Sequence, residues 1–350
     1  MSRYCPWGRY CHLSFGRLSL PVIGSLLYNH RMESFPHLPV LLHEVCDAFA
    51  PLSLHAFIDG TLGAGGHAAS LLQLHPEISA FLGIDQDSTA LDIARKRLEP
   101  WKKVTRFAHG NFVDMTAIAA SFGLTKVDGI LMDIGVSSMQ LGNPERGFSF
   151  MHDGPLDMRM DQLQPLTAAE IVNSWPEQEL GRIFREYGEE RHWRIAARTI
   201  VRARLKAPIQ TTRELVELLR PVLQGRHQAI NPATRVFQAL RICVNEELVV
   251  LERQIPQAID LLNPGGRLAI IAFHSLEDRI VKNAFRFAAS DKVNTSGIGG
   301  LFLEKEPTVK LITNRPWEAS EEEIAANPRC RSAKLRVVEK IALSCERGLI

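Results

Sequence analysis

Between Val40 and Phe49 the apolar residues Leu41, Leu42, Val45 and Phe49 recur at helical spacing. Beyond them the pattern changes to short apolar runs separated by amphipathic stretches. Ala56 to Asp59 predicts a strand that runs into a glycine loop. His67 to Leu74 predicts the helix after it, and Ala80 to Asp85 a second strand. Asp87 and Ser88 are placed to cap a helix carrying Leu91, Ala94 and Leu98. Val104 to Ala108 predicts a third strand. Val127 to Asp133 predicts a fourth, almost wholly apolar, as a strand buried on both faces should be. Strands alternating with helices in this way imply a parallel sheet with helices on both faces.

The rhythm then stops. Residues from about 143 to 235 carry helical patterns and no clear strand. A helical pattern from Pro232 to Leu262 leads into a further strand, Gly266 to Phe273. Thr308 to Thr313 and Ala333 to Ile341 then predict an antiparallel pair that closes the sheet; in the second, Leu335 and Val337 alternate with Lys334 and Arg336. The expected architecture is one α/β domain, residues 35–142 and 237–350, interrupted by a helical insertion at 143–236. Residues 1–34 form an N-terminal extension. No internal repeat is visible.

Composition narrows the class only a little. The chain has 41 basic and 39 acidic side chains and a net charge of +2, which excludes a uniformly basic nucleic-acid coat but not a local patch. Its six cysteines, Cys5, Cys11, Cys46, Cys243, Cys330 and Cys345, include no Cys-x-x-Cys pair, so no metal knuckle is expected and a reducing compartment fits. No apolar run approaches the roughly 20 residues needed to cross a bilayer. The extension contains Arg3, Arg9, Arg17 and Arg31 and no acid before Glu33, a composition that resembles an organellar transit peptide. Chloroplast or mitochondrion is therefore the expected location, or the cytoplasm if the extension has another purpose.

The sharpest local signal is Asp59-Gly60-Thr61-Leu62-Gly63-Ala64-Gly65-Gly66-His67, where the first strand passes into the first helix. Gly63, Gly65 and Gly66 let the backbone approach a ligand and leave amide donors at the helix start. Asp85, at the end of the second strand, can accept hydrogen bonds from both hydroxyls of a ribose. That pair suits either NAD or S-adenosylmethionine (SAM). The spacing is not G-x-G-x-x-G, because Ala68 stands three residues after Gly65, and the fourth strand ends in Asp133-Ile134-Gly135. Both features point to SAM. Phe112, just beyond the third strand, is either plain core or a neighbour of the adenine.

With these residues in view, the chain resembles the ribosomal RNA small-subunit methyltransferase H family, also called MraW. The resemblance runs from His37-Leu38-Pro39-Val40 to Asn327-Pro328-Arg329-Cys330-Arg331-Ser332-Ala333-Lys334-Leu335-Arg336. Its longest shared runs include Asp133-Ile134-Gly135-Val136-Ser137-Ser138-Met139-Gln140-Leu141 and Pro144-Glu145-Arg146-Gly147-Phe148-Ser149-Phe150, with Phe273-His274-Ser275-Leu276-Glu277-Asp278 further on. The resemblance implies a Rossmann-like class I SAM-dependent methyltransferase fold. It also implies methyl transfer to N4 of a cytosine in the decoding region of small-subunit ribosomal RNA, with the rRNA, inside an assembled or assembling subunit, as partner. A second copy of the chain is a further partner the reading allows. Carried over by position, the SAM contacts fall on Gly65, Gly66, His67, Asp85, Phe112, Asp133 and Gln140. Gly142-Asn143 departs from the family, which usually has an acidic residue there.

For the chemistry, Asp133 is the expected group to orient the amine or the cofactor, and Ser137 and Ser138 can hydrogen-bond the base. His274 is a candidate proton acceptor, against the competing reading that Ser275 and Asp278 form a capping box with His274 merely before it. No Pro-Pro-Tyr or Pro-Pro-Phe run follows the fourth strand, so the base-stacking residue is not identified. Arg191, Arg194, Arg198 and Arg202 predict a basic helix face for rRNA phosphate, with Ile195, Ile200, Val201 and Leu205 on the buried side. Pairing of those arginines with Glu186, Glu189 and Glu190 is the competing expectation. Arg329, Arg331, Lys334 and Arg336 form a second candidate phosphate cluster, and Met151, Met158 and Met160 a candidate cap over the base. Two other functions share the sheet: a nicotinamide-dependent oxidoreductase, and a non-catalytic ribosome-assembly factor.

Overall fold

The computed structural model describes residues 39–223, 231–294 and 302–342; the N-terminal extension lies outside them. Helix α1 (Leu42–Phe49) precedes strand β1 (Ala56–Asp59), followed by α2 (Gly66–Leu74), β2 (Ala80–Asp85), α3 (Ser88–Arg97) and β3 (Thr105–His109). Then come α4 (Met115–Ser121) and β4 (Val127–Asp133). Strand β5 (Leu262–Ala272), helix α12 (Ser275–Ala289), a small hairpin of β6 (Lys292–Asn294) with β7 (Phe302–Glu304), and strands β8 (Val309–Leu311) and β9 (Lys334–Lys340) complete the frame.

The main sheet has the order β3-β2-β1-β4-β5-β9-β8. Its first five strands run parallel, while β9 pairs antiparallel with β5 and β8. The expected closing pair is thus present. Alternation along each strand feeds two cores. Phe57, Phe81, Leu131 and Ile271 pack on one face, with Phe49, Leu71 and Leu91 from the helices. Ile58, Leu82, Ile130, Met132 and Ile270 pack on the other, with Leu251, Ile255 and Phe285. Each such side chain contributes roughly 1.5–3 kcal/mol by leaving water. Strand order reverses direction between β1 and β4, and the crevice beyond their carboxyl ends is where open α/β sheets take ligands.

Between β4 and β5 lie α5 (Ser138–Gly142), α6 (Ala168–Ser174), α7 (Glu177–Glu186), α8 (Trp193–Arg204), α9 (Thr212–Leu223), α10 (Thr234–Asn245) and α11 (Glu247–Leu261). Among the described residues this stretch holds no strand, only an isolated bridge of Pro155 to Thr211. It has its own core, including Phe184, Ile200, Leu219, Phe237 and Leu240.

Three expectations change here. The single helix expected from Pro232 to Leu262 is two, broken at Glu246 with φ 51°. No Gly or Pro causes the break. The side chain of Asn245 donates to the carbonyl of Met158 and accepts from the amide of Met160, so tertiary contacts override the local pattern. On α8 the buried side is Ala196, Ala197 and Ile200, whereas Ile195 and Leu205 are exposed. The small residues bring α8 close to α7: a Cβ on Gly181 would lie 2.8 Å from the Trp193 ring. Arg191 precedes the helix, and Arg194, Arg198 and Arg202 are exposed on it. Finally, Met158 and Met160 are packed in the insertion core while Met151 is exposed, so the three methionines make no common cap. No described helix is long and apolar enough to cross a membrane.

Candidate active site

Asp59, Asp85 and Asp133 each end a strand, β1, β2 and β4, at the same edge of the sheet. The glycine loop threads between them. Gly60 donates to the carbonyl of Leu131, which ties the loop start to β4, and Leu62 donates to Ile84, which ties it to β2. Gly63 and Gly65 have φ of 53° and 74°, left-handed conformations that glycine adopts without strain. A Cβ on Gly66 would sit 2.5 Å from Cγ of Pro39. The loop is therefore tightly packed where it enters α2, and its glycines hold the cradle's backbone close to Pro39 and Leu98.

Asp85 accepts from the amide of Gly63 at 2.7 Å and from that of Asp87 at 2.8 Å. These donors fix the carboxylate and leave lone pairs free for two hydroxyls. Burial nevertheless raises its pKa to about 6. Asp87 caps α3 through the amide of Thr89, as expected. It also makes a buried ion pair with Arg146 at 2.6 Å and accepts from Nε2 of Gln140 at 3.3 Å.

Asp133 receives its backbone position from Thr61, whose hydroxyl oxygen accepts the Asp133 amide. Its Oδ1 is buried without a hydrogen-bond partner among the described residues. Burial, and then the nearby carboxylates of Asp59 and Glu277, raise its pKa to about 8. A quarter of the side chain still opens to the crevice, so water moderates that rise. His67 is buried; its Nε2 lies 2.9 Å from the carbonyl of Val40 and its Nδ1 3.8 Å from Asp133. Since a carbonyl only accepts, Nε2 carries the proton and Nδ1 faces Asp133 as a lone pair. Burial lowers the His67 pKa to about 4, so the ring is neutral.

Ser137 and Gln140 form a capping box on α5. The Ser137 hydroxyl accepts the Gln140 amide at 3.2 Å, and the Gln140 carbonyl accepts the Ser137 amide at 3.0 Å. The Gln140 carboxamide is thereby committed to Ser137 and Asp87. Ser138 opens α5. Phe112 is half-buried beside Gly60, at the start of a 3-10 turn capped by Asn111. It packs against the core that holds Ile58, Ile130 and Met132.

His274 lies beyond β5, next to the turn after β4: the Phe273 ring is 3.2 Å from where a Gly135 Cβ would be. It is not merely before the cap of α12, as the Ser275/Asp278 reading has it; it is the cap. Its Nδ1 accepts the Glu277 amide at 3.4 Å and its Nε2 lies 3.0 Å from the Glu277 carboxylate. Asp278 instead pairs with Arg336 at 2.6 Å. That buries Arg336 and removes it from the second phosphate cluster, where Lys334 also leans 3.9 Å from Asp278. Arg329 and Arg331 remain exposed.

The acids expected to pair with the α8 arginines are engaged elsewhere. Glu186 pairs with Arg182 and Arg185, Glu189 with Arg279, and Glu190 accepts the His192 amide. Arg198 reaches Glu177 at 3.6 Å. The Trp193 ring carries Arg194 at 4.3 Å and Arg185 at 5.4 Å.

Glu247, His274 and Glu277 hold ligand-type atoms within 4.8 Å of one another. A cation is already there: Arg241 makes a two-pronged pair with Glu247 at 2.8 Å and lies 3.8 Å from Glu277. Thr61, Arg146, Arg241 and Glu277 are the site residues that spacing arguments miss. The one local signal for Glu277 is its place three residues after a cap, as in a capping box.

The cradle, the ribose-ready Asp85 and the orphaned Asp133 oxygen fit SAM, which combines a diol with a positively charged sulfur. Residues 34–341 match the model of the MraW methylase family. The chain is 57% identical over 309 residues to a ribosomal RNA small subunit methyltransferase H of Protochlamydia amoebophila (strain UWE25), covering 88% of this chain and 98% of that one. It is 48% identical to the protein of that name from Geobacter sp. (strain M21), covering 89% and 100%. A solved rRNA methylase from Streptococcus thermophilus is 11% identical, with a TM-score of 0.39 over 87% of this chain and 99% of that one. Loop, carboxylates and family match agree, and the chain belongs to the MraW methylase family.

Proposed function

We propose that this protein transfers the methyl group of SAM to the N4 amine of a cytosine in the decoding region of small-subunit ribosomal RNA. The observation that carries the reading is the alignment of the glycine cradle, Asp85 and Asp133 along one sheet edge, in a chain whose relatives are named for small-subunit rRNA. SAM supplies an electrophilic methyl group on a positively charged sulfur. The backbone at Gly63 admits it, Gly65 and Gly66 pack the loop against Leu98 and Pro39, Asp85 accepts from its ribose, His67 and Phe112 line its sides, and Gln140 holds the wall by fixing Ser137.

The cytosine amine is a poor nucleophile because its lone pair is delocalised. The protein's task is to align that nitrogen and receive its proton. Asp133 suits both. Its partnerless oxygen accepts a hydrogen bond from the amine, and its raised proton affinity lets it take the proton lost as the nitrogen–carbon bond forms. The Ser137 hydroxyl oxygen accepts a backbone amide, so its own hydrogen is left to donate to the base. Ser138, the first residue of α5, is the second serine assigned to the base. His274 stands beyond β5 as the cap of α12, its Nδ1 accepting the Glu277 amide and its Nε2, 3.0 Å from the Glu277 carboxylate, making no hydrogen bond among the described residues.

The exposed Arg194, Arg198 and Arg202 form the rRNA-phosphate face of the insertion, with Trp193 between Arg185 and Arg194. Residues 1–34 direct the protein to an organelle; a fusion of this segment to a fluorescent protein that stays in the cytosol would refute this. The reaction is tested by incubating the protein with methyl-labelled SAM and small subunits lacking the modification, then identifying the labelled nucleoside. Label in N4-methylcytidine is expected. Label in any other nucleoside sinks the cytosine reading, and SAM binding with no transfer favours a non-catalytic assembly role.

A further inference from the structure

Glu277 is almost wholly buried, and its charge is used from several sides at once. One oxygen accepts the amides of Phe273 at 2.8 Å and His274 at 3.2 Å. The other lies 3.0 Å from His274 Nε2 and 3.8 Å from Arg241. Arg241 commits its better geometry to Glu247, with two bonds of 2.8 Å. Two carboxylates thus share one guanidinium, which leaves one negative charge in a largely buried cluster at the end of β5. The neighbouring groups do not cancel it, because Arg336 and Lys334 belong to Asp278 and Arg279 to Glu189. Asp133 lies beside it, because Asp133 pairs with Ile271 across β4 and β5 and Glu277 holds the amide of Phe273, two residues on; among the described residues Asp59 and neutral His67 also neighbour Asp133.

We propose that Glu277 is a positioning residue for methyl transfer, which locks the end of β5 beside Asp133 and fixes a negative charge there. The proposal rests on the methyltransferase reading above. In the reaction a positive charge passes from sulfur to the amine nitrogen before the proton leaves, so a fixed negative charge behind the crevice favours it throughout. The same charge makes Asp133 a better proton acceptor, by opposing its ionisation. Arg241 sits on α10, in the helical stretch between β4 and β5, and limits how far the field rises.

The test compares the wild-type full chain with Glu277→Gln and Arg241→Gln, measuring SAM affinity by calorimetry from about pH 5.5 to about pH 9 to bracket the carboxylate shift. Glutamine at 277 still accepts the two backbone amides, so a purely structural role predicts no change in the pH profile. The proposal predicts that the midpoint of the affinity rise moves about one pH unit to the acid side in Glu277→Gln and to the alkaline side in Arg241→Gln. With small subunits, kcat of Glu277→Gln falls about tenfold or more. Its SAM dissociation constant on the alkaline plateau stays within about threefold. Identical midpoints in all three proteins overturn the proposal. Should Glu277→Gln fail to fold, the alkaline displacement in Arg241→Gln decides alone. A wild type that binds SAM but methylates no small subunit refutes the rRNA reading, while the midpoints still score Glu277.

Discussion

Asp133 ends β4 with a buried carboxylate oxygen that no group among the described residues satisfies, an arrangement that costs free energy unless a ligand or substrate uses it. It follows that SAM binding depends on pH. With the pKa of Asp133 near 8 and that of Asp85 near 6 in the free protein, both raised chiefly by burial, a cation is received best once both are ionised. SAM affinity should rise as pH increases through this range, by about tenfold per unit for each proton that must leave. Flat affinity across the range, measured by calorimetry, would count against ionised Asp133 as the cofactor's partner. The sign for stability is opposite. Both pKa values are raised above their unfolded values, so their stabilising contribution is complete below about pH 4 and is lost as pH rises through about 6 to 8. Thermal melts of the ligand-free protein should therefore decline across that window, and added SAM should restore most at the alkaline end.

A second residue-scale prediction concerns the cradle. In Gly66→Ala the added methyl meets Pro39 at 2.5 Å and Arg97 at 3.1 Å. Overpacking of this kind costs about 1–3 kcal/mol. The variant should melt lower and bind SAM more weakly. A melting temperature and affinity equal to wild type would show that the cradle yields.

At the scale of elements, α8 divides by face. Ala196, Ala197 and Ile200 pack inward, while Arg194, Arg198 and Arg202 point to water with one carboxylate partner, Glu177, among them in the described residues. Alanine at all three arginines should leave folding intact. It should weaken rRNA binding and lower the salt slope by about 0.7–0.9 per lost phosphate contact. An unchanged slope would assign this face to solvent. The same helix shows what the amino-acid pattern conveys. The strands were legible because Val127 to Asp133 is apolar throughout and Ala80 to Asp85 stands between turn signals, so their limits match β4 and β2. The apolar side of α8 was not, because Ile195 and Leu205 are hydrophobic yet exposed, and close packing selects alanine beneath them. The break at Glu246 was equally hidden, since the bonds of Asn245 that cause it come from residues more than 80 positions away.

Across the whole molecule, polar contacts run around the crevice. Asp87, beside the ribose carboxylate, pairs with Arg146. Arg146 donates to the carbonyls of Arg159 and Met160, Asn245 holds Met158 and Met160, and Arg241, one turn earlier on α10, reaches Glu277. The segment after β4 is thereby fastened to both ends of the site. Removing one partner of the buried pair, in Arg146→Met, leaves Asp87 buried and uncompensated. Loss of such a partner costs about 3–5 kcal/mol. A large fall in melting temperature and weaker SAM binding are expected; a neutral effect would mean that the crevice does not depend on this link. Little of this network was legible beforehand. The loop, Asp85 and Asp133 announce themselves by position at strand ends, whereas Arg146, Arg241 and Glu277 acquire meaning only when segments distant in the chain meet.

The most direct test sets wild type beside Asp133→Asn, with methyl-labelled SAM and small subunits lacking the modification, and reads both the labelled nucleoside and SAM binding. The wild type should place label in N4-methylcytidine. The variant should bind SAM more weakly, as the wild type with protonated Asp133 does, and at saturating SAM lose about a hundredfold or more in rate, because asparagine accepts a hydrogen bond and cannot take the proton. Comparable N4-methylcytidine from both proteins would contradict the role given to Asp133, and label in another nucleoside from the wild type would contradict the proposed reaction itself.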